Sequence, residues 1–238
     1  MPDRDTDTVP DGGVARSLAA DSRSDYQYTS DDVERPELVS ALDAVVDGEV
    51  RFDTYTRQLY ATDASAYEVT PIGVVFPTST ADVASVVSYC ADREIPVLPR
   101  GGGTSLAGQT VNEAVVLDFT RHMDVIHEVD PDAREARVQP GTVLSDLNDR
   151  AAEHGLTFGP DPAAGDRSAI GGAIGNNSTG AHSLVYEKTD HYVEEAEVVL
   201  ADGVREAEED ALLRLVSKLL GINDRDSAMA RQRVDTTG

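Results

Sequence analysis

The residues most able to do chemistry lie in Pro99–Val111, PRGGGTSLAGQTV. Three consecutive glycines let a backbone take φ > 0 and approach a ligand closely. Successive N–H groups in such a turn form a concave anion nest. Gly101, Gly102 and Gly103 supply that turn, Thr104 and Ser105 add hydroxyl donors, and Arg100 adds a positive charge. A phosphate or diphosphate is the natural guest. Two common phosphate motifs do not fit. Gly103–Thr110 has the spacing of GxxxxGK[ST] but carries Gln109 where the lysine belongs, and no following helix is evident. A GxGxxG fingerprint would need glycine at 106, which is Leu106. A glycine-rich turn with no ligand stays open as the plain alternative.

A second segment, Gly159–Gly180, reads GPDPAAGDRSAIGGAIGNNSTG. So long a run of small residues inside a compact domain is uncommon and usually functional. Gly171, Gly172, Gly175 and Gly180 again permit backbone contact with a flat or anionic ligand. Asn176, Asn177, Ser178 and Thr179 supply neutral donors and acceptors. A solvated loop would not explain Ile170 and Ile174 among the glycines. Two such segments suit a long ligand with a phosphate centre and a polar ring system.

The other reactive types are less informative. His122 and His127, and His182 and His191, are not spaced as a metal pair on one element, so no metal is assigned. His154 falls near a helix end, where a surface or dipole role is expected. His182 adjoins the second glycine-rich segment. Asp161 and Asp166 suit loop turns better than acid–base work. Cys90, the single cysteine, excludes an internal disulfide framework.

These segments need elements to position them. Pro36 opens a short helix with Leu38, Leu42 and Val45 or Val46 on one face. Residues 51–70 form a mixed arm. Ile72–Phe76 reads as a strand. Thr80 can cap a helix burying Val83, Val86, Val87 and Cys90. Val97–Leu98 and Ala114–Asp118 are further strands. Val125–Val129 and Glu135–Val138 flank a DPDA turn and predict a hairpin. A helix over Leu144, Leu147 and Ala151 ends at Gly155. Tyr192–Leu200 predicts an alternating strand with Ala196, Val198 and Leu200 on one face, turning at Asp202-Gly203. A last helix carries Leu212, Leu215, Val216 and Leu219.

Composition narrows the classes. The chain has 238 residues and a formal charge of −24, which disfavours nucleic-acid binding. It has no polybasic stretch for a membrane surface, no apolar run near ~18 residues and no signal core. A soluble cytoplasmic protein is the expectation. Lys188 and Lys218 are its two lysines, and abundant Asp and Glu with so little Lys predict a high-salt cytoplasm.

Taken in order, PRGGGTSLAGQ, QPG at Gln139–Gly141, GPDP at Gly159–Pro162, IGGAIGNNSTGAHSLVYEKT at Ile170–Thr189 and EVVLADG at Glu197–Gly203 carry a family resemblance. Together they resemble the PCMH-type FAD-binding domain of the vanillyl-alcohol oxidase / p-cresol methylhydroxylase flavoproteins, most of all the FAD-linked D-lactate, glycolate and D-2-hydroxyglutarate dehydrogenases. The resemblance implies an α+β fold of two α/β subdomains with FAD between them, the second subdomain incomplete. It implies that Arg100–Ser105 wrap the diphosphate and that Pro160 and Asp161 lie against the cofactor. Gly171, Gly172, Gly175, Asn177, Ser178 and Gly180 would line the diphosphate and flavin side, with Val198 and Val199 on a closing strand. FAD is expected to be noncovalent. A 2-hydroxy acid would give hydride to flavin once a cap domain completes the site, and electrons would pass to an acceptor protein or iron–sulfur partner.

The organisation expected is a disordered acidic tail (1–35), a helical arm (36–67), the FAD-binding domain (68–208, incomplete) and a helix with unstructured tail (209–238). Three departures from the family pattern matter. Glu187 stands where the family has glycine, and if that position needs φ > 0 the glutamate is strained. The later FAD-closing segment and the substrate-capping domain are absent from the sequence, so no catalytic residue is named. The acidic excess also vanishes after residue 208, where five basic and five acidic residues balance. A truncated or split gene product is therefore expected. An inactive FAD-binding remnant and a nucleotide-phosphate binder unrelated to flavin are the alternatives.

Overall fold

Gly73–Phe76 (GVVF) and Val115–Asp118 (VVLD) are buried at every position. Such unbroken apolar runs suit parallel strands covered on both faces. In the computed structural model, which describes residues 35–200, 216–218 and 220–221, they form the centre of a four-stranded sheet. Its strands are β1 (Glu49–Arg51), β2 (Gly73–Phe76), β3 (Val97–Arg100) and β4 (Val115–Asp118), in the order β1-β2-β4-β3. β2 and β3 both run parallel to β4, and β1 closes one edge antiparallel.

Alternation splits the central side chains between two faces. Val75, Val115 and Leu117 meet α1 (Pro36–Asp43) through Leu38 and Leu42, and α3 (Thr80–Ala91) through Val83, Val86 and Cys90. Val74, Phe76 and Val116 face Tyr60 and Leu98 on the other side. Ser79, not Thr80, caps α3: its Oγ accepts the Asp82 N–H at 3.2 Å. Thr80 is already helical, so the expected cap falls one residue late. Burial pushes the Cys90 thiol up to about 11, which leaves it inert packing. The arm over 51–70 contains α2 (Thr54–Leu59), capped by Asp53.

A second layer follows. The expected hairpin is present as β5 (Ile126–Asp130) and β6 (Glu135–Val138), antiparallel. α4 (Leu144–Ala152) packs Leu144, Leu147 and Ala151 with Val138, Phe158, Ile170 and Tyr192 into a separate core. Gly155 takes φ +69° just beyond it. β7 (Leu156–Thr157), α5 (Ile170–Gly175), α6 (Ser183–Tyr186) and a 3₁₀ turn over Thr189–Tyr192 complete this layer.

Two sequence expectations are corrected. Residues 193–200 form no strand. Val193 makes an isolated bridge, and residues 194–200 carry no regular secondary structure: alternation marks a face but does not by itself supply a ladder. The face assignment also changes, because Val199 packs on the first core while Val198 and Leu200 are exposed. The helix expected around residues 212–219 is not seen at its end. β8 (Val216–Lys218) instead adds to the open edge of β6, and β9 (Leu220–Gly221) pairs with β7. An unpaired hairpin edge offers backbone bonds that override a helical pattern. The Asp202-Gly203 turn and the acidic segment before Arg35 lie outside the described residues.

Candidate cofactor site

The two glycine-rich segments meet. Thr104 Oγ1 and Ser168 Oγ are 3.0 Å apart across 64 residues of sequence. A Cβ on Gly101 would lie 2.8 Å from the Ala169 Cβ, and one on Gly102 would overlap the Arg167 carbonyl oxygen. Only a chain without side chains at these positions passes this close. Gly103 turns the backbone at φ +63°.

Inside this contact the N–H groups of Gly101, Gly102, Gly103, Thr104 and Ser105 donate to no acceptor among the described residues. Consecutive backbone donors left open in a left-handed turn are the composition of an anion nest. The side chains of the same residues are used differently from the sequence expectation. Ser105 Oγ accepts the N–H groups of Ala107 and Gln109 and donates to the Gln109 amide oxygen. The Thr104 hydroxyl is engaged with Ser168. Both hydroxyls therefore hold the loop rather than face a guest.

Arg100 is likewise structural. Its Nη1 donates to the Thr110 carbonyl at 2.8 Å and to the Tyr60 carbonyl at 3.4 Å, and its Nη2 donates to the Thr62 carbonyl at 2.7 Å. The guanidinium also stands over the Tyr60 ring, 5.1 Å from its centroid. The clamp comes from the arm over 60–64, which sequence reasoning missed. The Ala64 N–H donates to the Gly103 carbonyl at 2.9 Å. Asp63 Oδ2 accepts the Thr110 hydroxyl at 2.9 Å. Burial alone would raise the Asp63 pKa, but hydrogen bonds from Ser65 and Thr110 outweigh it and hold the carboxyl below its ordinary value. Tyr60 donates its hydroxyl to Asp118. Burial first, and then the Asp118 charge, push the phenol well above its usual range. Carbonyl acceptors leave no residue code, so only the Asp63–Ser65 turn could have hinted at this clamp.

The second segment is pinned mainly by its own backbone. Gly171 packs on Pro140, and its N–H donates to the Pro140 carbonyl. Gly180 lies on Pro160 and Asp161, where a Cβ would overlap both carbonyl oxygens. The Ala181 N–H donates to the Asp161 carbonyl at 3.1 Å. Ser178 offers its carbonyl to both the N–H and hydroxyl of Thr189, and Asn177 Oδ1 accepts the Asp190 N–H. Ile170 is fully buried and Ile174 packs beside it, which accounts for the apolar residues among the glycines. A Cβ on Gly172 or Gly175 would meet nothing within 4 Å. Gly172 and Gly175 thus leave open space beside a segment that also touches the 101–105 loop through Ala169, Ser168 and Arg167. Asp161 (φ +51°), Asn177 (φ +44°) and Glu187 (φ +71°, ψ −162°) all carry positive φ without being glycine. The Glu187 combination is essentially restricted to glycine, as the sequence pattern anticipated. Val198 and Val199 are not brought to this cleft by a strand.

A sequence profile described as "FAD binding domain" matches residues 71–207, more than half of the chain. The chain belongs to this family. The chain is 37% identical over 174 residues to a D-2-hydroxyglutarate dehydrogenase of Pseudomonas putida, covering 71% of this chain and 17% of that protein. It is 36% identical to the glycolate oxidase subunit GlcD of Bacillus subtilis, over 66% of this chain and 34% of that protein. It is 39% identical to a D-lactate dehydrogenase of Archaeoglobus fulgidus, over 55% of this chain and 29% of that protein. The chain thus spans between 17% and 34% of the length of these relatives. Among solved structures, an alkyldihydroxyacetonephosphate synthase aligns with a TM-score of 0.67 at 20% identity, covering 80% of this chain and 45% of the other. A 6-hydroxy-D-nicotine oxidase of Arthrobacter nicotinovorans aligns at 0.62 and 22% identity, covering 74% of this chain and 43% of the other. These agree with the α+β fold of two subdomains. A second profile, described as tellurite resistance protein TerB, matches residues 188–232.

FAD is the cofactor of this family, and the residues present fit it. The unbonded amides at 101–105 suit the diphosphate, and the side-chain-free floor at Gly172 and Gly175 leaves room for a flat ring. Among the described residues no group of three or more His, Cys, Asp and Glu could hold a metal ion, and no helix is long and apolar enough to cross a membrane.

Proposed function

We propose that this chain is the FAD-binding portion of a flavin-dependent oxidoreductase that oxidises a D-2-hydroxy acid of the lactate/glycolate type. The observation that carries this reading is the row of free amides at 101–105, held against the second glycine-rich segment. The names of the relatives supply the substrate class. In this reading the N–H groups of Gly101 to Ser105 neutralise the diphosphate, and Arg100 keeps them convergent. Pro160, Asp161, Gly171, Gly172, Gly175, Asn177, Ser178 and Gly180 form the opposite wall, and the crossing segment with Val198 and Val199 borders it. Burial against both walls excludes water from the cofactor. The bound flavin would supply hydride acceptance, and the substrate's carboxylate and hydroxyl would be handled by residues other than those of the FAD-binding segments. Residues 68–208 make the binding unit, the compartment is the cytoplasm, and electrons leave to an acceptor protein or iron–sulfur partner.

The backbone strain at Glu187 favours a second reading, in which the chain binds FAD without turning over. One measurement separates them. The purified chain is saturated with FAD in molar salt and mixed anaerobically with D-lactate, glycolate or D-2-hydroxyglutarate. Bleaching of the visible flavin band supports the oxidoreductase. A stable yellow complex supports the binding-only reading. A protein that takes up no FAD ends both.

A further inference from the structure

His182 stands two residues beyond Gly180, on the loop that Pro160 and Asp161 pin in place. Its Nδ1 is 3.4 Å from Asp161 Oδ2, and its ring meets the Tyr186 ring edge-on, with centroids 6.1 Å apart. Asp161 is set by its backbone rather than by chance rotation. Its carbonyl accepts the Ala181 N–H, and it occupies the left-handed region at φ +51°. Non-glycine residues held in that region cluster at ligand clamps. The carboxylate stands on the Nδ1 side of the imidazole, Nε2 has no partner among the described residues, and the side chain is 58% exposed. A second carboxylate–histidine pair, Glu187 with His191, lies at the other end of α6 at 3.8 Å.

We propose that His182 donates a hydrogen bond from Nε2 to bound FAD, and that Asp161 is the positioning residue that orients it. This inference rests on the FAD-binding reading. It extends that reading to a side chain that composition and spacing left unassigned. It also gives the second segment a side-chain donor of the kind the first segment lacks, since Arg100, Thr104 and Ser105 are each engaged by other protein groups.

The test uses the position of the donor atom. In His182→Gln the side-chain amide reaches the place of Nε2; in His182→Asn it reaches only that of Nδ1. FAD dissociation constants are read by quenching of flavin fluorescence, on the full chain. His182→Asn and Asp161→Asn are each expected to weaken FAD by about tenfold, the size of one lost hydrogen bond, and His182→Gln to stay within about threefold of the parent. The double variant His182→Asn/Asp161→Asn should be no weaker than either single variant, because the two act through one contact. Both side chains are exposed, so melting temperatures of the FAD-free variants should match the parent. Equal affinity for the parent, Gln and Asn forms overturns the inference while leaving FAD binding intact. So do additive losses in the double variant. A parent chain that takes up no FAD overturns both the inference and the function beneath it.

Discussion

The two glycine-rich segments face each other but are built on opposite principles. The loop at 101–105 is crowded from behind. Its glycines sit where a Cβ would strike Arg167 or Ala169, and a guanidinium and an arm from elsewhere in the chain clamp its ends. The segment at 160–187 is open at Gly172 and Gly175 and is held mainly by backbone bonds, both within itself and to Pro140–Ser145. It places non-glycine residues in conformations that glycine prefers. Glycine in the first loop answers close packing throughout. In the second it answers close packing at Gly171 and Gly180 but leaves empty space at Gly172 and Gly175, and positive φ falls on Asp161, Asn177 and Glu187.

The sharpest way to break this contrast is to add one methyl group to each side. Gly102→Ala drives a Cβ into the Arg167 carbonyl and must part the segments. FAD affinity should fall by about 100-fold or more, and overpacking of about 1–3 kcal/mol should lower the melting temperature. Gly175→Ala meets nothing and lies in α5, so its stability should hold or rise by up to about 1 kcal/mol. If titration and thermal melting show equal damage from both, the distinction is wrong.

Next in size is the clamp. Arg100→Met keeps length but strands three carbonyl acceptors, at a cost of about 2 kcal/mol or more. FAD should bind more than about tenfold weaker, and hydrogen exchange should speed up at Ala107, Gln109 and Thr110 but not at 170–180. Uniform acceleration would show that the segments are not held independently.

A smaller, opposite change is expected at Glu187. Glycine there relieves strain of about 1–3 kcal/mol, partly offset by the entropy of the unfolded chain. Glu187→Gly should therefore raise the melting temperature, whereas a substitution at Gly103 should lower it. A fall at Glu187 would mean that its contact with His191 outweighs the backbone.

Acid gives the smallest separation. The Asp63 carboxyl is held below its ordinary value, so its contribution is complete above the unfolded pKa near about 4. That contribution is lost as pH falls through the folded value. Protection factors at Ala107, Gln109 and Thr110, corrected for the intrinsic pH dependence of exchange, should fall first under acid, and Asp63→Asn should abolish that loss.

Much of the scaffold could be read from sequence because its signals are local. The buried runs Val74–Phe76 and Val115–Leu117, the helical spacing of Val83, Val86 and Cys90, and the DPDA hairpin each declare themselves within a few residues. The two glycine segments stood out as a pair, and Glu187 as a side chain at a position that glycine prefers. Three things were not. The Arg100 partners are carbonyls and have no side-chain signature. The fate of residues 193–200 depended on whether a partner strand existed. Val216–Lys218 followed the free edge of β6 rather than its own helical pattern. In each case a distant backbone decided the outcome.

The Arg100 clamp has a consequence for the order of assembly. The guanidinium reaches carbonyls 40 and 38 residues earlier in the chain, and the loop's hydroxyl contact lies 64 residues later. Such closures carry a large entropic cost until the intervening sheet exists. The anion nest is therefore a product of folding completed rather than a nucleus for it. A chain interrupted before Ser168 would hold its first sheet and still lack a formed nest. FAD uptake thus reports the last join in this molecule, between its two layers.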